Sequence, residues 1–457
     1  MTRFLRLGFA LFLCLVWCGC GDVFRPIIIP NPPVFPNPKA AHTVVSINDN
    51  GTLVAGTAMV IDVSGDTDVS IANVGLAPVH AMQQTASQTL VVNHSVTGAA
   101  ADSITKLSFS GTVISSTTTI TLPPNSAPNF VAVAPSATTA YVTLPNYAPP
   151  SVGVVNTLTN SLANIFTVGS NPDAIAVTPD NSKVYVANQG DGTVNGFTVS
   201  NTVDLSSRAI NGSFNAPLWV IARSDNARVY VLNGNGVLST IDTTSTAGPD
   251  NVIDASVNVP GAAYMLYDGN LNRLYIPGGS QLTMLDISQS TPAVLTGGSI
   301  PIPTVPPSAR SAQGDPCSLT SAQPLTVTAV AALPDGSRAY VGAYYEDAAD
   351  NICPQVTVID AVSNAITTSI AIPGFPAYDA FCSPLQSQRA PRFRITMAAG
   401  GDSSRAYLAS CDGGMVNIID TTGDTYFLNL PAPVSSRTVQ GSMQNPPQNP
   451  VFLFAGP

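Results

Sequence analysis

Glutamate is all but missing from this chain: of its 27 acidic residues only Glu346 is one, and the rest are aspartates. Glutamate favours helix interiors and aspartate favours turns, so the skew excludes a helix-rich fold and points to short strands joined by many turns. Charge of either sign is scarce, at 10% of residues against 45% hydrophobic. Histidine occurs three times, at His42, His80 and His94, and the cysteines include no Cys-x-x-Cys spacing, so a zinc-type metal site has no sequence support. G-x-S-x-G, H-E-x-x-H and G-x-x-x-x-G-K-[ST] are also missing, which removes the common signatures of a hydrolase elbow, a metalloprotease and a phosphate loop. Basic residues number 17 and the net charge is −10, a balance that repels phosphate backbones and argues against a nucleic-acid partner.

The apolar stretch from Leu7 to Trp17 is shorter than the roughly 18 residues a membrane span needs, and it follows Arg3 and Arg6. That order, charged then apolar then small, is a targeting signal. The segment ends Trp17-Cys18-Gly19-Cys20 and resembles the lipobox of bacterial lipoproteins, with Trp17 where that pattern has Leu. The resemblance implies a signal peptide over 1–20 and lipidation at Cys20. Loss of Arg3 and Arg6 with the signal takes the net charge from −10 to −12. Residues 21–39 hold six prolines, which keep a chain extended, so they read as a tether. Residues 40–457 read as a single domain.

That domain is written in a repeat. A strand of the form small–Tyr–Val–x recurs about every 45 residues after an Asp/Asn/Ser-rich turn, with its aromatic slot at Tyr141, Tyr185, Tyr230, Tyr275, Tyr340, Tyr407 and Phe452, and with Val91 in the first copy. In the copy over 170–202, residues 174–178, 184–188 and 193–199 alternate as three strands, and the approach to the next copy supplies a fourth. Third strands end in aspartate, at Asp62, Asp242, Asp286, Asp360 and Asp420, where a carboxylate caps the following turn. Four short strands per 45-residue copy predict an all-β β-propeller of four-stranded antiparallel blades. The copies at the two ends are each incomplete: residues 58–62 form a third strand without its Tyr-Val strand, and 451–454 a second strand. One blade shared between the N- and C-termini completes both and leaves no open edge. The repeat count is then eight blades, with seven as the runner-up.

Tyr185-Val186-Ala187-Asn188, the lead-in Val168-Gly169 with Pro172, and the hairpin Pro179-Asp180 are similar to the YVTN-type propeller repeat of bacterial and archaeal envelope proteins. The resemblance extends over 57–457. It is strong around Tyr185, Tyr230 and Tyr340, and weak in the first and last copies. It implies an exported propeller facing the periplasm or cell surface.

Two gaps in the repeat are long, and they hold insertions at 304–324, 344–354 and 375–391. In an antiparallel blade the loops before strand one and between strands two and three share one face, so all three insertions fall together, on the sixth and seventh complete blades. Loops of this kind carry function. They contain Cys317, Cys353 and Cys382, and Cys411 follows the second strand of the seventh blade on the same face; four cysteines, an even number, imply disulfides in an exported protein, and Cys317–Cys353 and Cys382–Cys411 each join same-face loops of one blade. In the insertions stand Arg310, Glu346, Asp347, Asp350 and Arg389, and just after the last stand Arg392 and Arg394; these seven are the candidate ligand-face residues.

The functional expectation is a non-enzymatic binding or structural scaffold, anchored to a membrane by lipid. Its ligand, a protein, glycan or small molecule, would bind on that face. No catalytic residue, cofactor or metal is assigned, and the chain is read as a monomer. The alternative is a lactonase-like or quinoprotein-like propeller enzyme acting on a small polar substrate at the central opening. Convergent Asp, His and Arg side chains there would favour it, and an apolar opening would count against it.

Overall fold

The computed structural model describes residues 43–51, 53–94, 102–304, 315–317, 323–376, 382, 393–436 and 445–456. Cys20, the signal and tether over 1–39, Arg310, Arg389 and Arg392 lie outside the described residues. The described residues form eight antiparallel blades around a central axis, with no α-helix among them. The seven complete blades run in chain order. The third is Pro172–Val177, Lys183–Asn188, Thr193–Val199 and Leu205–Arg208, from the axis outwards. The eighth blade pairs Asn449–Ala455 with Thr43–Asp49, Ala55–Asp62 and Thr67–Leu76.

The closing blade is therefore shared between the termini, but not in the expected register. Asn449–Ala455 is the innermost strand, and the second strand is Thr43–Asp49, which carries no tyrosine. Val45 pairs with Val60, two residues before Asp62, just as Tyr230 pairs with Thr240 two residues before Asp242. Val45 is thus the tyrosine-slot residue, and Phe452 is not. The first complete blade shifts by one: Asn93 pairs with Pro78 as Asn188 pairs with Pro172, which puts Leu90 rather than Val91 in the slot.

The slot is periodic because it faces the next blade. Eight apolar clusters separate the described blades, and each contains one slot residue: Val45, Leu90, Tyr141, Tyr185, Tyr230, Tyr275, Tyr340 or Tyr407. Every one is buried to 1% exposure or less, and a Tyr ring there fills the wedge between two twisted sheets. The scarce cations serve the same joints. Lys106, Lys183, Arg223, Arg273 and Arg338 each reach from one blade to the next, donating to the carbonyl of Thr157, Thr243, Ile287, Ala361 or Thr421. Those acceptors immediately follow the Asn or Asp that ends a third strand. The Asp carboxylates themselves accept from the turn backbone, as in Ser64 N to Asp62 and Thr422 N to Asp420, both at 2.9–3.0 Å. Their place is structural.

The stretch 344–354 is no loop. The second and third strands of the sixth blade lengthen into it as Arg338–Glu346 and Asn351–Asp360, with Tyr345 opposite Cys353 and Glu346 opposite Ile352. Tyr344, Tyr345 and Glu346 continue the ladder opposite Pro354, Cys353 and Ile352, and only 347–350 remain as the turn of a lengthened hairpin.

Candidate functional site

First strands enter the axis from the insertion-bearing face, and their opening residues line a central chamber of about 250 Å³. Three features of the entry set its character. A proline opens several first strands, at Pro78, Pro172, Pro217 and Pro450, where the missing N–H costs no pairing. The residue before it is often left-handed, at Ala77, Asn171 and Ala216, which turns the chain sharply inwards. A bulge then follows, which re-aims side chains towards the axis.

Beyond the bulge, two residues past the tyrosine register, stand His80, Ala174, Trp219, Ala329 and Phe452. With Phe130, Tyr264 and Phe393 they build an arc of rings around the axis. Phe452 lies 4.8 Å from His80, which stacks on Phe130 at 3.9 Å; Phe130 meets Trp219 edge-on at 5.3 Å, Trp219 meets Tyr264 at 5.1 Å, and Tyr264 approaches Phe393 at 6.2 Å. These are ordinary aromatic contact geometries.

The third and sixth blades interrupt the arc, because alanine stands at this register there; the seventh has Thr396 at the register and supplies its ring from Phe393 instead. In the two alanine blades the bulged residue lines the chamber: Asp173 in the third blade and Thr328 in the sixth. Asp173 is 6% exposed and has no hydrogen-bond or charge partner among the described residues. Burial alone pushes its carboxyl up to about 7. Thr328 Oγ1, Thr396 Oγ1 and Asn129 Oδ1 are likewise buried at the chamber without a hydrogen bond among the described residues. His80 Nδ1 accepts from Val131 N at 3.4 Å, so a neutral ring carries its proton on Nε2, and burial pushes the imidazole down to about 3. His80 is uncharged at neutral pH.

Of the expected ligand-face residues, the four that are described, Glu346, Asp347, Asp350 and Arg394, are not part of the chamber lining. Arg394 follows Phe393 and lies over the Tyr344 ring at 5.8 Å, with Glu346 at 3.7 Å and the buried Asp412 at 3.8 Å. Asp347 is turned into its own hairpin, accepting from Ala349 N and Asn351 N at 2.9 Å. Asp350 is exposed at a left-handed turn position. The structure thus brings Glu346 and Arg394 together and gives Asp347 and Asp350 turn positions.

Cys317 is bonded to Cys353 and Cys382 to Cys411, with Cα separations of 5.9 and 5.8 Å. Closing loops of these lengths is worth about 3–4 kcal/mol each in the chain-entropy picture. Asp347 comes within 4.8 Å of Cys317 and Cys353, but a metal needs thiolates, and both sulfurs are in the disulfide.

The chamber residues were overlooked in the sequence, although a signal was present. His80, Phe130, Trp219, Phe393 and Phe452 each stand two residues after a proline, at Pro78, Pro128, Pro217, Pro391 and Pro450.

No protein-family model and no curated protein matches this chain. Among solved structures it is similar to a functionally unknown protein from Desulfotomaculum acetoxidans, at 9% identity over 91% of this chain and 100% of the other, with a TM-score of 0.52. It is also similar to apo AztD from Citrobacter koseri, at 11% identity over 90% and 97% of the two chains, with a TM-score of 0.55. Identities this low define the class, an eight-bladed β-propeller, and nothing narrower.

Proposed function

We propose that this chain is an exported binding propeller that takes a small ligand into the axial chamber, on the loop face that carries the sixth- and seventh-blade insertions. The observation that carries this reading is the chamber's make-up: an arc of aromatic faces, broken at the third and sixth blades, with a few buried polar atoms that have no partner among the described residues, the pattern of a small-molecule site. The enzymatic alternative asked for convergent Asp, His and Arg side chains at the opening, and of these the lining supplies Asp173 and His80. The lining is mainly apolar and includes no Lys or Arg among the described residues, so binding is favoured over catalysis.

A direct test uses Trp219. In a chain processed at Cys20 it is the sole tryptophan, because the other is Trp17. A ligand seated in the chamber is expected to change Trp219 emission and to stabilise the fold, by about 2.7 kcal/mol at a hundredfold excess over Kd. Compounds that raise the melting temperature yet leave Trp219 emission untouched would place the ligand site elsewhere and end this reading.

The proposal extends to location: export, lipidation at Cys20, and a Pro-rich tether that holds the propeller off the membrane. The two disulfides suit an oxidising compartment. In detergent phase partitioning, the wild type is expected in the detergent phase and Cys20→Ala in the aqueous phase. Equal partitioning of the two would remove the lipoprotein assignment.

A further inference from the structure

Among the described residues the chamber's one charge-bearing group at neutral pH is an acid, Asp173. Asp173 presents a carboxyl and Asn129 an amide oxygen, both acceptors, and neither has a donor among the described residues. The other titratable groups of the lining are His80, Tyr264 and Tyr267, none of them cationic at neutral pH. Tyr267 donates to Ser224 Oγ at 2.7 Å. Arg394 stands beside Phe393, but its guanidinium is directed to Glu346 and Asp412, outside the lining. An anion buried without a countercharge is costly, and it is retained where something supplies the charge. The faces of Phe130, Trp219, Tyr264, Phe393 and Phe452 carry the negative side of the ring quadrupole, which attracts cations. Carboxylate and ring faces therefore ask for the same partner. The volume, about 250 Å³, limits that partner to a small molecule.

We infer that the axial chamber binds a small organic cation of the alkylammonium class, its methyl or methylene groups against the aromatic arc and its charge opposite Asp173. This rests on the chamber being the ligand site, and it names the chemistry of what enters. Thr328 and Thr396, with their unpartnered hydroxyls, would hold a polar substituent of the ligand.

The test compares choline with its uncharged carbon isostere, 3,3-dimethyl-1-butanol, on the full processed chain, by calorimetry and Trp219 emission. Choline is expected to bind at least tenfold more tightly at pH 8. Because only the ionised carboxyl pairs with the cation, the choline affinity should fall as pH drops below about 7, approaching tenfold per unit, while the isostere's stays flat. Asp173→Asn keeps the shape and removes an unpaired buried charge, so its melting temperature should hold or rise. It should lose the preference for choline and the pH slope together. Equal binding of the two probes overturns the inference, as does a preference that survives in Asp173→Asn. If choline fails while other compounds still perturb Trp219, only the cation assignment falls; if nothing perturbs Trp219, the chamber reading falls with it.

Discussion

Deleting residues 449–457 is expected to unfold the whole domain rather than fray one end. The segment supplies the innermost strand of the closing blade, paired along Thr43–Asp49. It seats Val451 and Leu453 at 4% exposure, with Phe452 and Phe454 packed against the neighbouring core. Val451 and Leu453 at about 1.5–3 kcal/mol each, with the two partly buried phenylalanines at about half that, amount to roughly 5–9 kcal/mol. That is comparable with a typical domain's stability of about 5–15 kcal/mol. The deletion also bares the edge of Thr43–Asp49 at the axis, a template for aggregation. The truncated chain should be recovered mostly insoluble, and any soluble fraction should lack a cooperative urea transition. Removing Gly456 and Pro457 alone leaves the strand intact and should change little. A 449–457 deletion with an unchanged urea midpoint would show that the ring does not depend on this closure.

That strand also marks the limit of what the sequence discloses. The blade count and the inter-blade tyrosines were legible, because a large ring buried at every joint must recur with the blade period. Phe452 sits one period after Tyr407 and was read as another such ring. Its role is different: aromatics also recur on first strands, where they face the axis, and spacing alone does not tell one strand of a blade from the next. Only the pairing of Phe452 with Ile47 and of Asn48 with Pro450 separates the two. The strand extension through Tyr344 and Glu346 was hidden because extra residues in a repeat gap look the same whether they lengthen two strands or form a loop. Asp173 stood in plain view in Asn171-Pro172-Asp173, a motif with the composition of a turn. What makes it notable is the lack of a partner among the described residues, which depends on what seven other blades bring to the axis.

The same dependence on distant residues governs Asp250, where the largest effect of a single substitution is expected. Asp250 opens the fourth strand of the fourth blade, after a Gly-Pro that reads as an ordinary turn. It is fully buried, and it collects three donors from the third blade: Lys183 Nζ at 3.0 Å, Arg208 Nε at 2.6 Å and Tyr185 Oη at 2.6 Å. Lys183 and Arg208 are themselves under 10% exposed, and both also donate to Ser245 O. Asp250→Ala leaves two buried cations without a countercharge, at a cost of about 3–5 kcal/mol. Tyr185→Phe removes one hydrogen bond to a charged group and should cost about 1.5–3 kcal/mol. Replacing Lys183, Arg208 and Asp250 together by apolar residues of similar volume should recover much of the loss, since a buried ion cluster is often matched by hydrophobic packing.

Acid supplies an independent check. Burial alone would raise the Asp250 carboxyl, but the hydrogen bonds from Arg208, Tyr185 and Lys183 outweigh it and hold the group below its usual range. A carboxyl depressed in the folded state contributes in full above its unfolded value of about 3.9, and the contribution is lost as pH falls through the folded value. Urea unfolding of wild type and Asp250→Ala should therefore differ by a constant amount from about pH 5 to 8 and converge only below about pH 4. A loss under about 1 kcal/mol, the range of an exposed pair, would mean that this cluster is solvated and that the joint between the third and fourth blades rests on Tyr185 and its apolar neighbours.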